Sequence, residues 1–377
     1  LTEIIEWINK NKYSSFNSDL KGMAYHHQYK QIMDWMNGKT NYLPPPIECN
    51  LDPYAECNAR CVFCNSQRYL RNHRQEVGEM RKLPTDYCLS LVDFLANWKT
   101  SLCISGGGDP SLHDGMPQVL NYAKERGVQT SFVTNTIKVS DELANSLMSC
   151  RWVAMSVDAS NRKDYKIIKG VDKFNNVLNN IDMLTTLRDS THSKVDLAFK
   201  MLVLEDNYTT IFDACKLAKE LGVGTMQIRP CNYEREDIEG HKPLNIDIDV
   251  VKEQFAKCHE IETDSFKVFT TVHKYSSDFH VKQDFKRCLA STLLMPLLTD
   301  GGLYACVDHK LKSRFKMFDV YPNISSIKEV WGSDKHREFL KNINPCVECK
   351  DVRCTTSIYN SQIEHTVIND DMFLGFP

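Results

Sequence analysis

Hydrophobic and polar positions along residues 47–261 follow two alternating periods. Short runs rich in apolar and β-branched side chains, at 47–51, 101–105, 129–134, 152–157, 195–204 and 225–229, read as strands. Between them lie stretches with apolar side chains three and four residues apart, at 85–98, 116–126, 140–149, 174–188 and 208–221. In the last of these, Ile211, Cys215, Leu217, Ala218 and Leu221 recur at helical spacing. Six strand–helix units predict a parallel sheet, and right-handed crossovers would curl it into a partial barrel. The residues before it read as helices closed by Pro44, Pro45 and Pro46, a stiff lead into the first strand. The expected organisation is an N-terminal helical extension (1–46), an α/β barrel (47–262) and a small C-terminal domain (263–377).

A chain of 377 residues with 42% hydrophobic content has room for one large α/β domain and a smaller one. Its net charge of −3 shows no basic excess, so nucleic acid is not an expected partner; the stretch from Lys310 to Lys316 is the local exception. No apolar run approaches the ~20 residues that span a bilayer. The first residues lack a basic segment followed by an apolar one, and a cytoplasmic location is expected. Fifteen cysteines without an export signal then read as metal ligands and buried thiols rather than disulfides.

Cys57, Cys61 and Cys64 form a C-x3-C-x2-C run. A [4Fe–4S] cubane built for electron transfer is normally closed by four cysteines, so three leave one iron open to a small molecule. A zinc knuckle would instead want four ligands, usually as two C-x2-C pairs. The run resembles the radical S-adenosylmethionine (SAM) superfamily. That resemblance implies a (β/α)6 partial barrel over roughly residues 47–240 and an open iron that chelates the amino and carboxylate groups of SAM. It also implies reductive cleavage of SAM to methionine and a 5′-deoxyadenosyl radical, which abstracts hydrogen from a substrate. A flavodoxin- or ferredoxin-like reductant is the implied electron donor.

Parallel strands share one face at their C-terminal ends, where loops gather functional groups. Phe63, just before the last cysteine, corresponds to an aromatic that packs beside the adenine of SAM in the family. Gly106-Gly107-Gly108-Asp109-Pro110 resembles the family's Gly-Gly-Glu-Pro segment, which receives the methionine ammonium. Glycines allow close backbone approach and a carboxylate suits a cation, although Asp109 is one methylene shorter than the commoner glutamate. A plain glycine turn is the alternative. Thr134 with Asn135, Ser156 with Asp158, and Gln227 with Arg229 put polar residues at further strand ends. By resemblance Asn135 joins the cofactor site, Ser156 touches the SAM ribose, and Lys200 meets the SAM carboxylate. Lys200 could equally line the barrel, paired to Asp196 or Glu205. Arg229 is a candidate substrate clamp, because guanidinium grips carboxylate or phosphate in bidentate fashion, and equally a SAM ligand. Cys231 is either a hydrogen-atom donor to a substrate radical or a packing residue.

Cys288, Gly301, Cys306, Cys346 and Cys349 form C-x12-G-x4-C, a gap, and C-x2-C, with Cys354 following. This resembles the SPASM/twitch domains that carry auxiliary clusters in radical SAM enzymes. Residues 299–306 read as a β-hairpin with a glycine turn that brings Cys288 and Cys306 together. Residues 324–331 read as a short helix capped by Ser325. Five cysteines fill one cluster and leave one over, which favours the twitch form with one auxiliary [4Fe–4S] cluster on Cys288, Cys306, Cys346 and Cys349. Cys354 either displaces one of the C-x2-C pair or is a spare thiol. Two open clusters sharing five cysteines, or a zinc ribbon, are the other arrangements.

A fully ligated auxiliary cluster suits electron removal. The expected reaction is therefore oxidation, or else epimerisation, at a carbon of a sugar, aminocyclitol or similar polar metabolite, and the polar loop 232–237 suits such a substrate. Modification of a ribosomally made peptide is the second reading, although the N-terminal helices do not read as a leader-capturing module. A non-catalytic iron–sulfur electron carrier is the third.

Overall fold

The computed structural model describes residues 22–64, 66, 70, 80–231, 245–270, 285–310, 312–349, 354, 356, 360 and 364. The polar loop 232–237 lies outside them. Helix α1 (Gly22–Met36) precedes strand β1 (Glu48–Leu51). The chain then alternates helix α2 (Thr85–Trp98), strand β2 (Ser101–Ile104), α3 (Met116–Glu125), β3 (Thr130–Thr134), α4 (Asp141–Leu147) and β4 (Trp152–Ser156). Helices α5 (Arg162–Lys169) and α6 (Phe174–Ser190) lead to β5 (Asp196–Val203), and α7 (Ile211–Glu220) leads to β6 (Thr225–Pro230). The six strands pair in parallel and in chain order, as their periodicity predicts.

The sheet is larger than the sequence pattern indicates. After α8 (Ile248–Glu260), strand β7 (Lys267–Thr270) adds in parallel beside β6. At the other side β8 (Leu294–Leu297) pairs in parallel with β1, and β9 (Gly302–Tyr304) and β10 (Lys316–Asp319) continue antiparallel. Four-residue strands carry too few positions for a period to register. Among the described residues the result is one ten-stranded sheet with β10 and β7 at its two edges, an open partial barrel in the α/β class. Among the described residues no helix is long and apolar enough to cross a membrane.

The expected hairpin exists, with its turn at Gly301. There φ is +73°, and a Cβ would stand 2.3 Å from Cβ of Tyr321, so only glycine fits. The expected cap at Ser325 is corrected. The side chain of Asn323 accepts the Ser325 N–H (3.1 Å) and starts the turn that leads into α9 (Ile327–Val330). Helices α10 (Asp334–Lys341) and α11 (Pro345–Glu348) follow.

Strand alternation divides the sheet into two faces. Leu51, Ile104, Phe132, Met155, Phe199 and Ile228 are fully buried in the main core. The opposite face lines the lumen. Register sets Asn50, Cys103, Ser131, Trp152 and Asp196 in one row, and Ser156, Lys200 and Gln227 in another nearer the C-terminal ends. Ala154 and Ala198 keep the floor between these rows low.

The N-terminal helix docks far along the chain. Trp35, fully buried, donates from Nε1 to the Gly332 carbonyl (2.7 Å), and its ring lies 5.3 Å from that of His336 and 5.4 Å from the Arg337 guanidinium. Trp331 returns a bond to the Pro44 carbonyl (3.0 Å). Trp35→Ala should lower the unfolding free energy by about 3–5 kcal/mol. Trp35→Phe, which keeps most of the packing and loses the hydrogen bond, should cost nearer 1 kcal/mol. Urea unfolding midpoints check this, and equal midpoints for the two variants would contradict the docking role.

Candidate active site

The cysteine loop leaves β1 as irregular backbone, so its N–H and C=O groups must find partners elsewhere. Three neighbours supply them. On the first side, Asp109 N–H donates to the Glu56 carbonyl (2.7 Å) and Gly107 N–H to Asp52 Oδ2 (2.6 Å). On the second, Asn135 Nδ2 donates to Asn58 Oδ1 (2.7 Å) and stands 3.6 Å from Cys57 Sγ. On the third, Arg60 N–H bonds the Lys169 carbonyl (2.8 Å) and Val62 N–H the Ile168 carbonyl (3.0 Å) at the end of α5.

The glycine segment packs on the loop itself. A Cβ on Gly108 would lie 2.1 Å from the Tyr54 carbonyl oxygen and 2.6 Å from Glu56 N, and one on Gly106 2.3 Å from Asp52 Oδ1. Close approach is required there, as expected, but by protein backbone and a buried carboxylate.

Asp109 corrects a second expectation. It is buried, and its carboxylate accepts from Ser111 N–H (3.0 Å), Ser111 Oγ (2.6 Å), Thr134 Oγ1 (2.9 Å) and Asn135 N–H (2.7 Å). Those four donors fill the roughly four lone-pair sites of a carboxylate. The side chain is a clasp between the ends of β2 and β3 rather than an open acceptor for an ammonium group. Asn135, held by this clasp, orients the ligand loop.

Burial raises the Cys57 thiol pKa, with Asp109 adding to it, while the Ala59 N–H and the Asn135 amide pull it back. Burial likewise pushes Cys61 up to about 12 against the pull of Lys169. Thiols in this setting become thiolates when a cation compensates them. Three thiols on one loop, with no fourth cysteine in it, are a donor set that fits a cluster with one open iron.

In the lumen, Lys200 lies between Ser156 and Gln227 across β4, β5 and β6, and Arg229 lies one step higher, opposite Leu202. Burial first, and Arg229 second, bring the Lys200 ammonium down to about 7. Burial also lowers the Arg229 pKa, opposed by Asp308 and Asp158. Gln227 Oε1 is buried without a hydrogen-bond partner among the described residues. Asp196, one expected partner of Lys200, accepts from Thr225 Oγ1 (2.8 Å).

Cys231 is not open to this lumen. Cys231 is 1% exposed in an apolar cluster with Ile168 and Leu204, against which Val62 and Phe63 pack. That enclosure is the packing alternative for Cys231 and leaves no exposed thiol to donate hydrogen. The Phe63 ring faces the Lys169 ammonium at 5.4 Å.

A second cavity is lined by Cys288, Cys306, Cys349 and Cys354, together with Asp308 and His309. Leu294 and Pro296 of β8 also line it, and register puts them on the lumen face of the sheet beside Glu48 and Asn50. Cys306 Sγ accepts the Asp308 N–H (3.4 Å), and Cys288 Sγ accepts from Asn360 Nδ2 (3.6 Å). Cys349 Sγ lies 3.6 Å from His309 Nε2, whose ring stacks on Phe315 at 3.9 Å. Burial raises all four thiols, Cys354 to about 11. Cys346, expected on this site, is exposed with Sγ directed to the Phe285 carbonyl (3.5 Å), and Cys354 takes the fourth place on the wall. Among the described residues no three His, Cys, Asp or Glu side chains converge on a single-ion position; the thiols surround a space instead.

The basic stretch from Lys310 to Lys316 is engaged internally. Lys310 pairs with Asp52 (3.3 Å), Lys312 meets His309, and Lys316 pairs with Asp300 (3.1 Å) and Asp319. Lys169, His309 and Asn360 had no sequence signal, because nothing in their local spacing marks them as neighbours of a cysteine.

Reconstituted protein with two cubanes should hold about eight irons. Cys354→Ala should lower that content, whereas Cys346→Ala should leave it unchanged; the reverse pattern in an iron assay would restore the C-x2-C assignment. Asp109→Asn should lower the unfolding free energy by about 1.5–3 kcal/mol, the worth of a charged hydrogen bond, and reduce retained iron. Parental stability with weakened SAM binding would return Asp109 to direct SAM recognition.

Residues 52–193 match the Radical SAM superfamily. The mycofactocin maturase MftC of Mycolicibacterium smegmatis is 24% identical over 182 residues, covering 48% of this chain and 43% of the maturase. An S-adenosylmethionine-dependent nucleotide dehydratase of Lacinutrix mariniflava is 30% identical over 122 residues, covering 32% of this chain and 25% of the dehydratase. The matches thus span less than half the length of these curated relatives. Among solved structures, Streptococcus suis SuiB has a TM-score of 0.61 at 13% identity, covering 91% of this chain and 78% of SuiB, a likeness of fold. The cysteine loop and the parallel partial barrel agree with this match, and residues 52–193 of the chain form a radical SAM domain.

Proposed function

We propose that this chain oxidises a carbon of a substrate bearing an anionic group, by hydrogen abstraction in the lumen followed by loss of a proton to solvent and of a second electron to a cluster that the auxiliary thiols would hold. The carrying observation is that Lys200 and Arg229 share the lumen face with the cavity lined by Cys288, Cys306, Cys349 and Cys354. When bound, a [4Fe–4S] cluster with SAM supplies reductive SAM cleavage and a hydrogen-abstracting radical. Cys57, Cys61 and Cys64 would hold that cluster. Arg229 would grip the anionic group of the substrate, because its fork offers two parallel donors in a poorly solvated setting. Gln227 Oε1 would accept a hydrogen bond from a hydroxyl or amine of the ligand. Lys200 and Ser156 would take the SAM carboxylate and ribose. A flavodoxin- or ferredoxin-like protein would supply the starting electron.

The substrate is read first as a sugar, aminocyclitol or similar polar metabolite. A specific observation favours peptide modification as the second reading: the relative MftC is named a maturase, and SuiB has been solved bound to its precursor peptide SuiA. A phosphorylated or carboxylated sugar and a peptide carboxylate would both offer an anionic group, so the lumen cations do not discriminate between the two classes.

Lys200 supplies a pH test. Its ammonium loses its proton near pH 7 in the unliganded lumen, and an anion favours the charged form. SAM affinity should therefore be flat below about pH 7 and fall by up to about tenfold per pH unit above it. Lys200→Met should weaken binding and flatten the profile; an unchanged profile would exclude Lys200 from the carboxylate site. For the reaction, Cys288→Ala with Cys306→Ala should spare substrate-free SAM cleavage and abolish oxidised product. Label from a substrate deuterated at the reacting carbon should enter 5′-deoxyadenosine. A solvent hydrogen newly bound at that carbon would show epimerisation instead.

A further inference from the structure

The third clamp on the cysteine loop contains a buried charge. Lys169 ends α5, where Gly170 (φ +65°) closes the helix and passes beneath Arg60; a Cβ there would lie 2.6 Å from the Arg60 carbonyl oxygen. The Lys169 side chain is 1% exposed, and its ammonium turns inward to bond Asp158, itself 1% exposed. Asp158 is held in turn. Its Oδ1 accepts the Leu202 N–H (2.7 Å), its carbonyl accepts from Asn207 Nδ2 (2.8 Å), and its backbone is left-handed at φ +63°. The Lys169 ammonium also stands 5.4 Å from the ring of Phe63, which lies between Cys61 and Cys64 in the loop. One turn earlier on α5, Tyr165 is fully buried and its hydroxyl has no hydrogen-bond partner among the described residues.

Burying a charge is costly, and an apolar side chain of similar length would fill the same space. The interaction that offsets this cost therefore needs a positive charge. Burial by itself would lower the Lys169 pKa, but Asp158 and Cys61 together outweigh it and keep the group protonated. The two charges do not cancel at the loop. The ammonium is the charge that faces the loop, over the ring of Phe63, while the Asp158 carboxylate is held from the strand side by the Leu202 N–H.

We propose that Lys169 and Tyr165 are positioning residues for the cluster held by Cys57, Cys61 and Cys64. The Lys169 carbonyl fixes the loop backbone, its ammonium favours the more negative, reduced state of the cluster, and the Tyr165 hydroxyl supplies a hydrogen bond to that site. The inference rests on the three-cysteine assignment. An enzyme that must draw a reluctant electron onto this cluster gains from a fixed positive charge beneath it, in a region that salt cannot screen.

The test is a redox titration of the reconstituted full-length protein, following the SAM-responsive electron paramagnetic resonance signal, with iron content measured alongside. Lys169→Arg should keep the parental midpoint and iron. Tyr165→Phe, which removes one oxygen, should keep its iron and titrate at a lower potential. Lys169→Met combined with Asp158→Asn, which removes the charge without orphaning its partner, should also titrate lower. Parental midpoints in both Tyr165→Phe and the double variant would overturn the proposal, whatever iron they hold. A parent protein without a SAM-responsive signal would instead refute the three-cysteine assignment, so the two failures are read separately.

Discussion

An irregular loop that must hold three thiols open while leaving few of its own backbone groups unpaired is the constraint on which this structure turns. Each buried N–H or C=O left without a partner would cost about 1–3 kcal/mol, and the segment from Pro53 to Cys64 has little regular structure to satisfy them. Partners come instead from three separate places: the glycine segment after β2, the end of β3, and the end of α5. Their geometry explains much that surrounds the loop. Gly106 and Gly108 lack side chains so that the strand ends can meet the loop, and Asp109 is buried because it ties the first two supports together.

The same sheet that carries this loop carries the second thiol group. Strand β8 lies in parallel against β1, so the cavity lined by Cys288, Cys306, Cys349 and Cys354 opens on the face that bears Lys200 and Gln227. Lys310 strengthens the connection by pairing with Asp52 at the end of β1, whose carboxylate also receives Gly107. A movement of the C-terminal cysteine region would thus be felt at the backbone that supports the first cysteine loop.

Two corrections have a common origin. Asp109 was read as a ligand for a cation because its motif neighbours are glycines, and Cys346 was read as a cluster ligand because it belongs to a C-x2-C pair. Both inferences take adjacency in sequence as adjacency at the site. Asp109 instead meets donors from β3, and the short helix α11 turns Cys346 outward while Cys354, outside the pair, reaches the cavity.

The amino-acid sequence by itself determined the six parallel strands, most of their helices, the three-cysteine loop and the resemblance that this loop carries. These are local signals: alternation over five residues, helical spacing over ten, and ligands within one turn of chain. What only the tertiary structure decided are the features whose partners lie far apart in sequence. The short strands β7 and β8 are specified by their neighbours' open edges, and the fourth auxiliary thiol by which cysteines reach one cavity. The buried pair of Lys169 and Asp158 is specified by the meeting of a helix end with a strand end. Burial and charge pairing are properties of assembled surfaces, and a lysine at the end of an amphipathic helix reads as solvent-facing until the loop above it closes the space.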